Sequence, residues 1–448
     1  MSTLVIRTIQ TPDNSPVSFP SGIMIGRATG AGTINNIGTP GQQGFGVGIA
    51  PSIPANFAAL YGTTDPASDT YGNYQYSDGS VMVYVPAFYY KYGTGANGLA
   101  INVVDVKAFS YYADVATANA AGYALHRAFY NGGTIRPGFF VDKYYCSKNG
   151  GIASSLKNGI PLASATRGGI AGTNFASLTG APADAFYGAI AAAKTRGASF
   201  FPMARYQRAA LALLANAHGS ASSGTTYCAW YSAGSTNFPK GCNNNALGDT
   251  NDATLAFLDD GTATNCNKTG SANFFSKTTH NGQNCGVADL NGTIWGIEPF
   301  GITSNGVNFY LLNTAVDVTT ITAGNALATD CWGATGLAAM YTSLGATYES
   351  LTASAGNKPF GSAAQVLSAA TSGNGWLFAG NGFPLVAGTG GSNQFGNDYM
   401  YDARTNECCV DSGGSWYSAG NAGVWAVGLN TSRSSSSDTC GFRSASYL

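Results

Sequence analysis

The sequence predicts an α+β fold in which short strands and a few helices carry long, glycine-rich loops. Three observations point there. Glycine supplies 61 of 448 residues, about twice ordinary usage, so the chain turns often. Hydrophobic residues make up 44% and aromatic residues 12%, enough for a packed core, which excludes a disordered chain. Helical stretches bounded by proline and glycine lie between strand-like runs.

Residues 1–80 read as a small β-rich module for attachment or oligomerisation. From Gly22 to Gly48 glycine recurs too densely for any helix. A turn cluster at 64–69 follows, and Val81-Met82-Val83-Tyr84-Val85 with Phe88-Tyr89-Tyr90 reads as strand. A boundary is placed near residue 80, with 81–448 as one domain. Three helices come next. The first, 114–123, is alanine-rich with Asp114 as its cap. The second, 183–196, has Pro182 at its entry and aligns Phe186, Ile190 and Ala193 on one face. The third, 203–218, enters at Pro202, carries a Leu211, Leu214 and Ala215 stripe, and stops before Gly219. Residues 220–276 form a loop insertion too long for a plain connection. Strands return at 287–297, 307–312, 423–429 and 440–447.

Composition excludes several function classes. Twenty-one Lys and Arg against twenty-two Asp and Glu leave a net charge of −1, without the basic excess that neutralises phosphates, so nucleic acid is not an expected partner. No apolar run is long enough to cross a bilayer, and the first ten residues carry Arg7 and no apolar core of a signal peptide. Assembly into a virion is then one route out of a cell. The cysteines, Cys146, Cys228, Cys242, Cys266, Cys285, Cys331, Cys408, Cys409 and Cys440, show no C-x-x-C spacing. They are read as small buried hydrophobes, with Cys228–Cys242 or Cys266–Cys285 as alternative disulfides. His126, His218 and His280 are not at metal-ligand spacing, and His218 is read as a surface histidine at a helix end. Glutamate occurs only at Glu298, Glu349 and Glu407, and nothing singles out a carboxylate pair, so no catalytic residue and no catalytic metal are expected. No cofactor is required. A structural cation such as calcium is the one candidate, at Asp249-Thr250-Asn251-Asp252.

The informative stretches are two. One is Gly286-Val287-Ala288-Asp289-Leu290-Asn291-Gly292-Thr293-Ile294-Trp295; the other is Gly413-Gly414-Ser415-Trp416, a polar run, then Gly441-Phe442-Arg443. Asn291-Gly292 suits a two-residue hairpin turn, the tryptophans anchor strands, and the Arg443 fork suits two carbonyls or a carboxylate. Together these motifs resemble the formylglycine-generating-enzyme branch of the C-type lectin fold, with Arg433 at the intervening arginine; the resemblance covers about 80–448. It implies a C-type-lectin-like domain with Trp295, Gly413, Gly414, Trp416, Trp425, Arg433, Gly441, Phe442 and Arg443 as scaffold. The enzymes' Glu-Trp after the hairpin tryptophan is Gly296-Ile297 here, and their cysteine pair is not matched, so oxidase activity is the lesser alternative. A structural virion or cell-surface protein without a selective ligand is another.

The ending is most similar to variable proteins of diversity-generating retroelements, several of them phage receptor-binding proteins. That resemblance implies a ligand-display protein with its hypervariable segment at 417–440. The displayed positions are then Tyr417, Ser418, Asn421, Gly428, Asn430, Thr431, Ser435, Ser437, Asp438 and Thr439. It further implies a homotrimer at a tail-fibre tip or a bacterial cell surface, and a host-surface protein or glycan as receptor. Side chains projecting into solvent tolerate such change because exposed substitutions usually cost no more than about 0.5 kcal/mol.

Overall fold

The computed structural model describes residues 32–233, 238–323, 340–344, 356–360, 364–385, 395–396 and 398–448. Cys331, Glu349 and the segment around Arg7 lie outside them. Among the described residues the architecture is α+β and sheet-rich, and no helix is long and apolar enough to cross a membrane. Twelve strands matter for the site. In chain order they are β1 (Phe57–Ala59), β2 (Asn73–Tyr76), β3 (Val81–Pro86), β4 (Gly138–Asp142), β5 (Phe201–Pro202), β6 (Trp295–Glu298), β7 (Asn357–Pro359), β8 (Tyr399–Tyr401), β9 (Val410–Ser412), β10 (Val427–Gly428), β11 (Cys440–Gly441) and β12 (Ser444–Tyr447).

The first sheet runs β1-β2-β3-β4-β12-β5, antiparallel throughout. Its centre is β3, whose alternating residues are buried on both faces. Val83 and Val85 enter the main core, while Met82 and Tyr84 join Tyr74, Phe140 and Phe200 in a separate aromatic cluster. The boundary expected near residue 80 falls at the turn between β2 and β3, inside this one sheet. Ile37, Phe45, Val47 and Tyr71 pack in the same core as the later chain. Residues 32–80 are therefore part of the same folded unit.

Helices α1 (Val115–Ala120), α2 (Phe186–Lys194) and α3 (Arg205–Ala221) occupy the expected places with shifted ends. Asp184 caps α2 by accepting from the amides of Tyr187 and Gly188. Pro202 belongs to β5 rather than to the helix after it, and α3 continues through Gly219 because it is buried from Arg205 to Gly219. His218 is correspondingly not a surface residue. It is fully buried; its Nδ1 accepts from Gly41 N at 3.0 Å and its Nε2 bonds Tyr227 O at 2.7 Å. His280 does the same for Gly46 O and Val287 N. Burial holds both imidazoles neutral, down to about 4. The two histidines thus stitch the early glycine-rich segment to the core.

The eight described cysteines are all free and buried, so neither Cys228–Cys242 nor Cys266–Cys285 is bonded. Asp249 accepts from Gly241, Asn243 and Asn251, and Asp252 pairs with Lys277 at 2.7 Å, so both carboxylates of the proposed cation loop are already engaged. Asn291-Gly292 is not a hairpin turn. Gly292 N donates to Gly413 O and Thr293 N to Cys242 O, so this stretch bridges two distant loops before β6 begins.

The second sheet runs β7-β8-β10-β9-β6-β11. Pairing is antiparallel except β8 with β10 and β6 with β11. The last residues join the two sheets: β11 pairs with β6 in the second, and β12 pairs with β4 and β5 in the first. Phe442 and Arg443 sit at the crossing. Phe442 packs edge-on against Phe175, with ring centres 5.3 Å apart. The Arg443 guanidinium donates to the carbonyls of Asp142, Lys143, Ala288 and Asp289 and stacks on Tyr145. Replacing Arg443 with alanine removes the guanidinium donors from four buried carbonyls, of which Lys143 O keeps the Ala288 amide, so Arg443→Ala is expected to lower the unfolding free energy by at least about 3 kcal/mol, read from the urea unfolding midpoint; a change under about 1 kcal/mol contradicts this account.

A candidate ligand-binding cleft

Alternation along the second sheet sorts its side chains. Met400, Val410, Ser412 and Val427 point inward, where Ser412 donates to Glu298 and α3 supplies Arg205 to both. On the opposite face the register brings together Asn357 and Tyr401, Tyr401 and Gly428, and Gly428 and Asp411, with Tyr399 two residues along β8 and Trp295 opposite Cys440. These residues form the floor of a solvent-open cleft of about 600 Å³. Its rim is the C-terminal segment: Tyr417, Ser418 and Asn421 on one side, Asn430, Thr431 and Ser435–Ser437 with Thr439 on the other.

Nine of the ten positions expected to be displayed line this single concavity. Tyr417 (52% exposed), Asn421 and Asn430 present exposed side chains. Ser418, Ser435, Ser437 and Thr439 are half-buried and tied into local bonds: Ser418 Oγ accepts from Ser415 N, Ser435 Oγ from Ser432 N, and the Ser437 and Thr439 hydroxyls pair at 2.8 Å. Three expectations need correction. Gly428 is a floor residue, and a Cβ there falls 2.1 Å from Asp411 Oδ1, so a larger residue must displace that carboxylate. Thr431 is buried, with its hydroxyl donating to Asp411 Oδ2 at 2.7 Å. Asp438 is half-buried and does not line the cleft; its carbonyl accepts from Arg167. Small polar residues read as display in a sequence, yet two of these three sit on or against a strand.

The expected scaffold residues surround the cleft. Trp416 packs into a small core with Cys242, Leu255, Phe257, Cys266 and Ala272, so the 220–276 insertion packs on it, and its ring meets the exposed Tyr417 ring edge-on at 5.2 Å. Arg167 lies over the Trp416 ring and pairs with Asp260 at 2.6 Å. Gly413 and Gly414 have φ of +92° and +80°, and a Cβ at Gly413 meets the Arg208 guanidinium 2.6 Å away. Trp425 packs on Phe360 and Phe395, and its backbone N–H donates to Asp398, whose carboxyl burial pushes up to about 8. Arg433 pairs with Glu407 and faces the Phe186 ring. Gly441 approaches Leu162 O too closely for any side chain. Trp295 is scaffold and cleft wall at once.

No family model and no curated protein matches this sequence. A solved structure of a protein named Major Tropism Determinant U1 Variant resembles the chain weakly. The identity is 14% and the TM-score 0.28, over 83% of this chain and 66% of that one. A likeness at that level carries no further argument.

Sequence reasoning missed the cleft floor: Asn357, Tyr399, Tyr401 and Asp411, together with Ser436 on the rim. The signal available was alternation in Tyr399-Met400-Tyr401 and Val410-Asp411-Ser412, but three residues are too few to establish a period. Asp411 is the electrostatic centre of the floor. Burial pushes its carboxyl up to about 6, with the Thr431 hydroxyl pulling the other way. An unfolded aspartate ionises near 4. Between those values the fold holds the extra proton, so this group favours the fold at low pH and the advantage is lost as pH rises from about 4 to about 6.

Two outcomes follow from this geometry. Asp411→Asn keeps an acceptor for Thr431 and cannot ionise, so it is expected to raise the unfolding free energy at pH 7.5 by about 1–3 kcal/mol, with little change at pH 4; urea titrations at both pH values measure it. Joint replacement of Tyr417, Asn421 and Asn430 by alanine is expected to shift stability by less than about 1.5 kcal/mol, whereas Trp416→Ala alone costs about 3–5 kcal/mol. Equal losses in the two variants contradict the division between rim and frame.

Proposed function

We propose that this chain is a receptor-binding protein that displays a variable surface on a C-type-lectin-like frame, diversified by a retroelement and carried as a homotrimer at a phage tail-fibre tip. The observation that carries the reading is the convergence of the 417–439 segment around one open concavity. The exposed side chains there, Tyr417, Asn421, Asn430 and Ser436, hang from a backbone held by buried residues. Tyrosine, serine and asparagine also dominate antibody paratopes, because rigid amphipathic rings and short polar groups adapt to many surfaces. The target is then a host-surface protein or glycan, and weak contacts at each cleft sum through avidity in a trimer.

Binding rather than chemistry is the better use of this cleft. Cys440 is the one thiol among the described lining residues, and burial pushes it up to about 12, far from a thiolate nucleophile at neutral pH. Asp411 is the one described carboxylate on the lining, without a second to share acid and base roles.

Two tests address the reading. Around the gene, a reverse transcriptase is expected, with a near-copy of the 3′ end differing at adenines in the codons for Tyr417, Asn421 and Asn430. Without them the retroelement part is wrong. For display itself, a library varied at Tyr417, Asn421, Asn430 and Ser436 is selected against several unrelated folded proteins. Specific binders with unchanged thermal stability are expected; a large, well-folded library yielding none overturns the display function.

A further inference from the structure

The described surface of the cleft offers aromatic rings and neutral polar groups. Tyr399 and Tyr401 alternate onto one face of β8, and Trp295 stands on β6, three strands away and about 14 Å across the sheet. All three are half-buried in the lining, and Tyr417, its ring set edge-on against Trp416, adds a fourth aromatic from the rim. Between β8 and β6 the sheet is low. Gly428 on β10 has no side chain, and the Asp411 carboxylate beside it on β9 is buried and takes the Thr431 hydroxyl. No lysine or arginine is among the described lining residues, and Arg433 nearby is paired with Glu407. The side chains of Asn357, Asn421 and Asn430 are exposed around these rings.

This chemistry rejects several ligands. An anion meets no counter-charge in the described lining, and the carboxylate beneath the floor repels it. A wholly apolar ligand takes water from the three amides and returns no hydrogen bond. The complement is a molecule with an apolar face for the rings and an edge that both gives and accepts hydrogen bonds, because each side-chain amide does both. A pyranose is built that way: its C–H groups cover the ring faces and its hydroxyls radiate around the edge. A proline-rich segment also stacks on aromatic rings, but proline carries no N–H and offers carbonyls alone, which leaves the amide oxygens unmatched.

We propose that the cleft takes a neutral glycan, an uncharged oligosaccharide laid with its ring faces on Tyr401 and Trp295 and its hydroxyls toward Asn357, Asn421 and Asn430. This rests on the ligand-binding reading above and selects among its receptors by their chemistry. The spacing of the two rings exceeds one sugar, so a short chain spans the low strip over Gly428. Both rings stand on strands rather than on loops, so little freedom is lost when a ligand settles on them.

The test is saturation-transfer NMR on the full chain with maltose, lactose, mannobiose and N,N′-diacetylchitobiose, with 3′-sialyllactose and maltose 1-phosphate as anionic counterparts, and with an N-acetylated, amidated hexaproline peptide. At least one neutral disaccharide is expected to bind with a Kd below about 20 mM. An anionic counterpart binds at least about 5-fold more weakly than its parent sugar. Tyr401→Ala weakens the bound sugar at least about 5-fold, and Tyr401→Phe, which keeps the ring, restores it. If Tyr401→Ala does not fold, Tyr417→Ala at the exposed rim is expected to give the same loss. Binding by none of the four sugars, equal or tighter binding of the anionic forms, tighter binding of hexaproline, or sugar binding untouched by the ring deletion overturns the proposal. If the rim library still yields binders in that case, the display reading stands and only the glycan chemistry is wrong.

Discussion

The fold depends on buried guanidinium groups donating to backbone carbonyls. A chain with so much glycine spends long stretches outside helices and ladders, and each buried carbonyl there still needs a donor. Regular structure supplies donors locally; loops do not. Arginine brings five N–H groups on one rigid fork. Arg443 serves four carbonyls from two separate segments, Arg205 reaches those of Asn381 and Gly382, Arg208 those of Leu290 and Val424, and Arg196 that of Ala153. The low charge content of the sequence therefore understates the role of charge, since the arginines that matter are inside. Their own desolvation is offset by Asp142 beside Arg196, Glu298 beside Arg205 and ring faces at Tyr145 and Phe383.

This arrangement explains which parts of the sequence are legible. The β3 strand is a run of apolar residues buried on both faces, and it reads as strand at once. Helices α2 and α3 carry apolar stripes and appear nearly where the pattern puts them. Arg443 and the Gly413-Gly414 pair are also legible, because a fork and a left-handed turn each have one obvious use. Arg167, Arg205 and Arg208 are not. An arginine on a helix or loop looks like a solvated charge until the long-range partner is known, and their partners lie 82 to 271 residues away in the bonds that matter. His218 fails for the same reason: its bond to Gly41 spans 177 residues. The boundary near residue 80 fails because the turn there is a hairpin turn, and only the strand register distinguishes that from a linker.

The cleft divides the same way. Its rim is legible as a polar, small-residue run between tryptophan and arginine anchors. Its floor is built from strands of two to four residues whose alternation is too brief to show. Gly428 and Thr431 have residue types that suit display, yet one lies under the Asp411 carboxylate and the other is that carboxylate's donor. Residue type alone does not separate a side chain that faces a ligand from one that holds the floor beneath it.

The division between backbone and side chain makes variation compatible with a fixed site. The 433–435 loop is not loose: the carbonyls of Arg433 and Ser435 accept from the amides of Phe186 and Ala185, the otherwise unpaired donors at the start of α2. On the next stretch Ser437 O accepts from Ala165 N and Ser164 Oγ. These bonds use main-chain atoms, so they persist whatever side chain each residue carries. Ser434 and Ser436 stay exposed on that fixed path, as Asn430 does at its start. Across the cleft, Ser418 N donates to Ser415 O while Tyr417 between them is exposed. A rim pinned through its backbone permits change of contact chemistry at its exposed side chains without change of shape, while the floor, where the Asp411 carboxylate packs against Gly428, permits far less.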